Sequence, residues 1–272
     1  NIKMKDIKIG FFSDTHTLHR EWQNNFTKSN NGSELEKQWS DLDILCFTGD
    51  CSSIGNHGQI LNFMAWFSSQ PAKEKVMISG NHDFFFDVMY RSHKRRSSWE
   101  DLPEDEVNEM LLSFPKIHYL NDSSVDLFGL NIWGSPVQPA FNNWAFNRNR
   151  NTIVNLDGSI EYKENIFNGI EDHWNIIPEN TDVLLTHGPP YGYNDMISTK
   201  FRRIGENPNV GCADLKSAIH RVRPQIVAYG HVHEAYGTIE EDDITYINCS
   251  SLDESYNPIN NPIFKTLTIK NE

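Results

Sequence analysis

Five short apolar runs in this 272-residue chain each stop at residues able to bind a metal ion or move a proton. These residues are Asp14 and His16, Asp50, Asn81 and His82, His187, and finally His231 and His233. An Asp and a His two residues apart at a strand end can point to one side and chelate one ion. Asn81 can offer a neutral oxygen to a cation and His82 a nitrogen or a proton, while Asp83 can orient its neighbours or cap the segment that follows. Each residue alone reads equally well as a cap or a turn; five strand ends in agreement do not. Imidazoles mixed with carboxylates and an amide are too many donors for one closed tetrahedral ion, and the set lacks the thiolates of a structural zinc site. The mixture suits a pair of borderline-to-hard dications, Mn²⁺ first, with Fe²⁺/Fe³⁺ or Zn²⁺ as alternatives. Two such ions, about 3.5–4 Å apart, lower the pKa of a bridging water and stabilise both the entering and the leaving oxygen. Asp50, a single carboxylate midway among the donors, is the natural shared ligand.

The elements that must position these residues are buried strands. Asp6–Phe12, Asp43–Thr48, Lys75–Ile78, Thr181–Thr186 and Gln225–Tyr229 are continuous apolar runs of strand length. In open α/β sheets, sites form at the carboxyl ends of strands, so the polar tips are expected to converge. Helices are expected at Gln59–Ser68, over most of Phe84–Leu112 with a new start at Pro103, at Tyr162–Asn175 and at Cys212–Arg221. Thr17–Ser40 reads as a loop with helical pieces. Short strands are expected at Ile117–Leu120, Val125–Leu127 and Leu130–Trp133, and hairpins from Ala235–Glu240, Ile244–Ile247 and Ile263–Ile269. Gly134–Arg150 reads as a long loop, a length usually associated with function or mobility. No repeat, low-complexity tract or linker interrupts the pattern, which predicts one domain over residues 1–272.

The formal net charge of −13 argues against a grip on polymeric nucleic acid, which needs clustered Lys and Arg. Lys94-Arg95-Arg96 reads as a solvated helix face. An acidic protein that handles phosphate needs bound cations to reverse the local field. No apolar run approaches the roughly 20 residues that cross a bilayer, and Asn1–Gly10 lacks the pattern of a secretory leader. The four cysteines, 46, 51, 212 and 249, show no CxxC pair or disulfide-like spacing. The expectation is a reduced, cytoplasmic setting with no membrane contact.

The ordered series D-x-H, G-D, G-N-H-D, a lone His after a strand and G-H-x-H resembles the calcineurin-like metallophosphoesterase superfamily. The series runs from Asp14 to His233, nearly the whole chain. The resemblance implies an α/β fold, a four-layer α-β-β-α sandwich of two mixed β-sheets flanked by helices. It also implies one metal on Asp14, His16, Asp50 and His233, and a second on Asp50, Asn81, His187 and His231. His82 would then protonate the leaving oxygen or hold the phosphate without binding metal. Trp133-Gly134-Ser135-Pro136, Asn142–Asn147 and Thr186–Pro190 are similar to the metallophosphoesterase-domain-containing branch, associated with phosphodiester hydrolysis including that of cyclic nucleotides. Ser/Thr phosphoprotein phosphatases of the superfamily carry G-D-x-x-D-R-G where this chain has Gly49-Asp50-Cys51-Ser52-Ser53-Ile54-Gly55. That departure disfavours phosphoproteins and leaves His82 without its usual acidic partner.

The sequence therefore points to a dinuclear metal-dependent phosphodiesterase acting on a small phosphodiester, a cyclic nucleotide being one candidate, by attack of a metal-bridging hydroxide. Asp50 and His82 are the catalytic candidates, and Asn81, His82, Arg148 and Arg150 the substrate-binding ones. The alternatives are a phosphomonoesterase on the same site and a non-catalytic protein-binding scaffold. Outside the motifs, histidines 19, 57, 93, 118, 173 and 220 read as surface or packed residues. Cys51 reads as a buried inert thiol, and Trp133, Phe141, Trp144 and Phe146 mostly as loop anchors.

Overall fold

A computed structural model describes residues 4–93, 104–201 and 206–270. Lys94-Arg95-Arg96 and the start at Pro103 lie outside the described residues. The chain runs β1 (Met4–Phe12), α1 (His19–Thr27), α2 (Gly32–Ser40), β2 (Ile44–Thr48), α3 (His57–Ser68) and β3 (Glu74–Ile78). After a 3₁₀ turn at Phe84–Phe86 come α4 (Val88–His93), α5 (Glu104–Leu112), β4 (Ile117–Tyr119), β5 (Ser123–Leu127) and β6 (Leu130–Ser135). Short strands β7 (Gln138–Pro139), β8 (Asn147–Arg148), β9 (Thr152–Val154) and β10 (Ile160–Tyr162) lead to α6 (Glu171–Asn175) and β11 (Val183–Thr186). The last elements are α7 (Ala213–Val222), β12 (Ile226–Tyr229), a 3₁₀ turn at His233–Ala235, β13 (Gly237–Glu241), β14 (Ile244–Asn248) and β15 (Ile263–Lys270).

Two mixed sheets result, ordered β15-β1-β2-β3-β4 and β13-β14-β12-β11-β6-β5. The alternation of side chains along each strand assembles the layers. On β2, Ile44 and Cys46 join Ile9, Phe11, Val76, Ile132, Leu185 and Ala228 in the apolar layer between the sheets. Leu45 and Phe47 point the other way and pack with Trp22, Trp39, Phe63 and Phe67 of α1, α2 and α3. On the far side, Leu184, Val227 and Tyr229 pack with Trp174 of α6 and Leu215, Ile219 and Val222 of α7. Because both faces of β2, β11 and β12 are covered, these strands read as unbroken apolar runs. The architecture is the expected pair of mixed sheets flanked by helices.

Several local expectations are corrected. Ile263–Ile269 makes no hairpin with its predecessor; β15 crosses to the other sheet and pairs antiparallel with β1, Ile7 opposite Leu267. Strand β14 does form a hairpin with β13, but its other edge lies parallel to β12. Tyr162–Asn175 is helical only over Glu171–Asn175, because Ile160–Tyr162 closes a small antiparallel pair with β9. The 134–150 segment is not wholly loop, since β7 and β8 pair in parallel there, Gln138 opposite Asn147.

Candidate metal centre

The ends of β1, β2 and β3 in one sheet and of β11 and β12 in the other meet along the same edge of the sandwich. There the chain turns sharply: Asp14, His16, Asp50 and His231 all have left-handed backbone, with φ of 51°, 39°, 61° and 68°. Such conformations raise the energy by roughly 1–3 kcal/mol each for non-glycine residues and persist only where the surroundings impose them. Two glycines permit the close approach. A Cβ at Gly80 would collide with Asp50 Oδ1 and His187 Cε1, and one at Gly230 with Asp14 Oδ2.

The residues gather into adjoining clusters: Asp14, His16 and His233; His16, Asp50 and His82; and Asp50, His187 and His231. Asp50 belongs to two of them, with Oδ2 at 3.7 Å from His16 Nε2 and 3.3 Å from His187 Nε2. His233 Nε2 lies 3.3 Å from Asp14 Oδ1, and Asn81 Oδ1 lies 2.9 Å from His187 Nε2. Backbone carbonyls aim the imidazoles. The Nδ1 atoms of His16, His82, His187 and His233 face the carbonyl oxygens of Ser52, Ser53, Thr48 and Asp253 at 3.2, 2.7, 2.9 and 3.1 Å. A carbonyl there accepts from Nδ1–H and so aims Nε2 at the centre.

That arrangement calls for cations. His187 Nε2 has two acceptors in front of it, Asn81 Oδ1 and Asp50 Oδ2, which only a proton or a metal ion can reconcile. Burial alone would push His187 down, but the Asp50 carboxylate outweighs it and carries the imidazole up to about 9. Burial pushes His16 down to about 4 and His231 down to about 3, so both are neutral donors. Burial also opposes ionisation of Asp14 and Asp50, yet their imidazole neighbours, His233 and His187 foremost, hold both below the ordinary carboxylate range. His16 Nε2 is buried without a hydrogen-bond partner. The neutral imidazoles of His16 and His231, two ionised carboxylates, an amide oxygen, and the His187 and His233 imidazoles, whose protons a metal ion would replace, fit a pair of divalent metal ions.

The other expected residues fall less centrally. Arg148 donates from Nε to His173 Nε2 at 2.8 Å, and His173 Nδ1 lies 2.6 Å from Asp122 Oδ2, so this cation is engaged beside the site. Arg150 lines the groove, but its guanidinium donates to the carbonyls of Gly211 and Val210 at 2.8 and 2.6 Å. Cys51 is fully buried and burial pushes its thiol well up, as an inert role requires. His19 is packed against Phe63 and Trp66, and Trp133 and Phe146 anchor the core.

Asp83 neither caps a helix nor orients His82. Its buried carboxylate accepts from the N–H groups of Gly80, Asp50 and Ser52 at 2.9, 2.9 and 3.0 Å and from Ser52 Oγ at 2.8 Å. It ties the β2 and β3 loops together beneath the site. Sequence reasoning missed the Ser53 carbonyl behind His82, and Ser13 and Ser250, whose hydroxyls donate to Asp14 Oδ2. It also missed Tyr256, whose ring lies 5.0 Å from those of both His16 and His233. A main-chain carbonyl leaves no trace in residue type, and an isolated serine or tyrosine has no spacing signal.

A groove of about 870 Å³ opens over the centre. Trp144 stands at its wall with its ring 4.1 Å from His82 and stacked on Phe84, while Phe141 meets His231 edge-on at 5.2 Å.

Comparisons with known proteins identify the family and the fold. The sequence profile of the calcineurin-like phosphoesterase family matches residues 7–235. Human metallophosphoesterase domain-containing protein 1 is 32% identical over 231 residues, covering 81% of this chain and 63% of that protein. The UPF0046 protein T07D4.2 of Caenorhabditis elegans is 32% identical over 239 residues, covering 81% of this chain and 53% of that one. The chain thus spans less than two thirds of these relatives' length. The crystal structure of TT1561 of Thermus thermophilus shares the fold, with a TM-score of 0.51 at 13% identity over 98% of this chain and 99% of that one. With the profile matched across all five motif-bearing strand ends, the chain belongs to the calcineurin-like phosphoesterase family.

Proposed function

We propose that the chain is a dinuclear metal-dependent phosphodiesterase acting on a small phosphodiester. Asp14, His16, Asp50 and His233 would hold one ion and Asp50, Asn81, His187 and His231 the other, with Mn²⁺ the favoured metal. Such ions supply a water acidic enough to attack at neutral pH and neutralise the charge gathering on the phosphoryl oxygens. The residues do the rest. Asp50 sets the separation of the two ligand sets, because its Oδ2 faces His16 on one side and His187 on the other; this observation carries the reading. His82 stands outside both sets, part-exposed to the groove, with Nδ1 fixed on Ser53. As an imidazolium, with Nδ1–H held by the Ser53 carbonyl, it would hand its Nε2 proton to the leaving oxygen.

Two observations favour a diester over a monoester. Neither loop arginine is spare for a dianionic phosphate, since Arg148 is engaged with His173 and Arg150 with carbonyls. The groove also extends from the centre past β7 and β9 to the Asn207–Gly211 loop, leaving room for both ester arms. A cyclic nucleotide would set its base near Trp144 or Phe141, whose rings border the reactive centre. The test is steady-state hydrolysis of bis-p-nitrophenyl phosphate against p-nitrophenyl phosphate with Mn²⁺, followed by cyclic nucleotides. A higher kcat/KM on the diester supports the proposal, and a preference for the monoester replaces it with a phosphomonoesterase.

A further inference from the structure

Gln138, the first residue of β7, lines the groove, yet only 1% of its surface is exposed. Its Oε1 is buried with no hydrogen-bond partner. The amide's orientation follows from its neighbours. The carbonyls of Phe141 and Asn142 can only accept, so the Asn147 atom facing them at 3.1 and 3.2 Å is the Nδ2 donor. Asn147 Oδ1 is then an acceptor, and the Gln138 atom facing it at 3.4 Å is Nε2. Oε1 is left as the unmatched atom. The main chain is fixed as well, since the Gln138 N–H donates to Phe146 O at 3.1 Å.

A buried amide oxygen without a partner is unfavourable by roughly 1–3 kcal/mol, which marks this atom out among the groove's described polar groups beyond the proposed metal ligands. Resting on the phosphoesterase reading of the adjoining centre, we propose that Gln138 is a specificity residue that accepts a hydrogen bond from the leaving group of the substrate. An acceptor repels phosphate oxygens, so this contact belongs to the alcohol side of the ester. The group it selects is neutral and carries a hydroxyl or amino hydrogen. Glu234 also lines the groove, which disfavours a second phosphate there.

The test is a binding titration of the Mn²⁺-loaded protein, by calorimetry, with four phosphates: phenyl phosphate, glycerol 2-phosphate, adenosine 5′-monophosphate and thymidine 5′-monophosphate. Gln138→Met removes the carboxamide at nearly constant size, and Gln138→Glu retains an acceptor oxygen. In Q138M, affinity for at least one of the three donor-bearing phosphates is expected to fall about tenfold relative to phenyl phosphate, with Q138E recovering most of that ratio. Melting of Q138M is expected at or above the wild-type temperature, because it removes an unsatisfied group. Affinities that all change by one factor, or none that change, overturn the proposal. Should Q138M not fold, Q138E is read alone: an unchanged order of the four affinities supports the proposal and a changed order overturns it. Turnover of bis-p-nitrophenyl phosphate by the wild type tests the diesterase reading separately, because the titration needs no hydrolysis.

Discussion

His82 Nδ1 lies 2.7 Å from the carbonyl oxygen of Ser53, and the imidazole meets the His16 ring edge-on at 4.7 Å and the tilted Trp144 ring at 4.1 Å. A main-chain carbonyl thus does for this histidine what an acidic side chain could do: it fixes one tautomer and one ring orientation. His82→Ala should lower kcat by about 10²–10⁴ on diesters with alkoxide leaving groups. The loss should be much smaller on p-nitrophenyl esters, whose leaving group needs no proton. Equal losses on both would remove the acid role, and parallel measurement of metal content should show it unchanged.

Asn81 and His231 serve only one of the two proposed ligand sets. Asn81→Ala or His231→Ala should leave about one ion per chain and lower turnover by at least about a hundredfold. Elemental analysis of the purified variants checks the first part and initial rates the second. Two ions retained in either variant would break the assignment.

Asp83 joins the loops after β2 and β3 through the N–H groups of Gly80, Asp50 and Ser52. Asp83→Ala strands these buried donors, and the expected loss is roughly 3 kcal/mol of stability. For a chain of this size that is a fall of roughly 6–12 °C in Tm. Because the same loops carry Asp50 and His82, metal affinity should weaken as well. An unchanged melting temperature would contradict the bracing role.

Asp43 supplies a pH signature remote from the centre. Burial pushes its carboxyl up, but the hydrogen bonds from Lys73 Nζ and the Lys8 N–H outweigh burial and hold it below its ordinary value of 3.8. A depressed carboxyl stabilises the fold above its unfolded pKa, and that contribution is lost as pH falls through the folded value. Asp43→Asn should therefore be less stable than the wild type by about 1–2 kcal/mol at neutral pH. The difference should shrink below about pH 4. Denaturant unfolding at a series of pH values reads it, and a gap independent of pH would exclude the ionic origin.

The polar tips were legible in the sequence because parallel strands buried on both faces show as unbroken apolar runs, and the residue after each run must lie at the sheet's rim. Asp14, Asp50, His187 and His233 are such residues, and they meet. Long-range pairing left no such mark. The partner of Ile263–Lys270 is β1, some 250 positions earlier, and its alternating pattern suits either sheet equally. The segment from Tyr162 misled for a related reason. Ile160 and Tyr162 are exposed on a two-stranded edge, so no buried face betrays the strand. Asp83 followed by three phenylalanines imitates a helix cap, and its real partners lie across a loop some 30 residues away.

The proposed sharing of the Asp50 carboxylate between two ions is the point on which the whole mechanism turns, and anomalous diffraction from crystals grown with Mn²⁺ tests it most directly. Two peaks about 3.5–4 Å apart, both within coordination distance of Asp50, are the predicted result. A single peak, or two peaks of which only one touches Asp50, would contradict it.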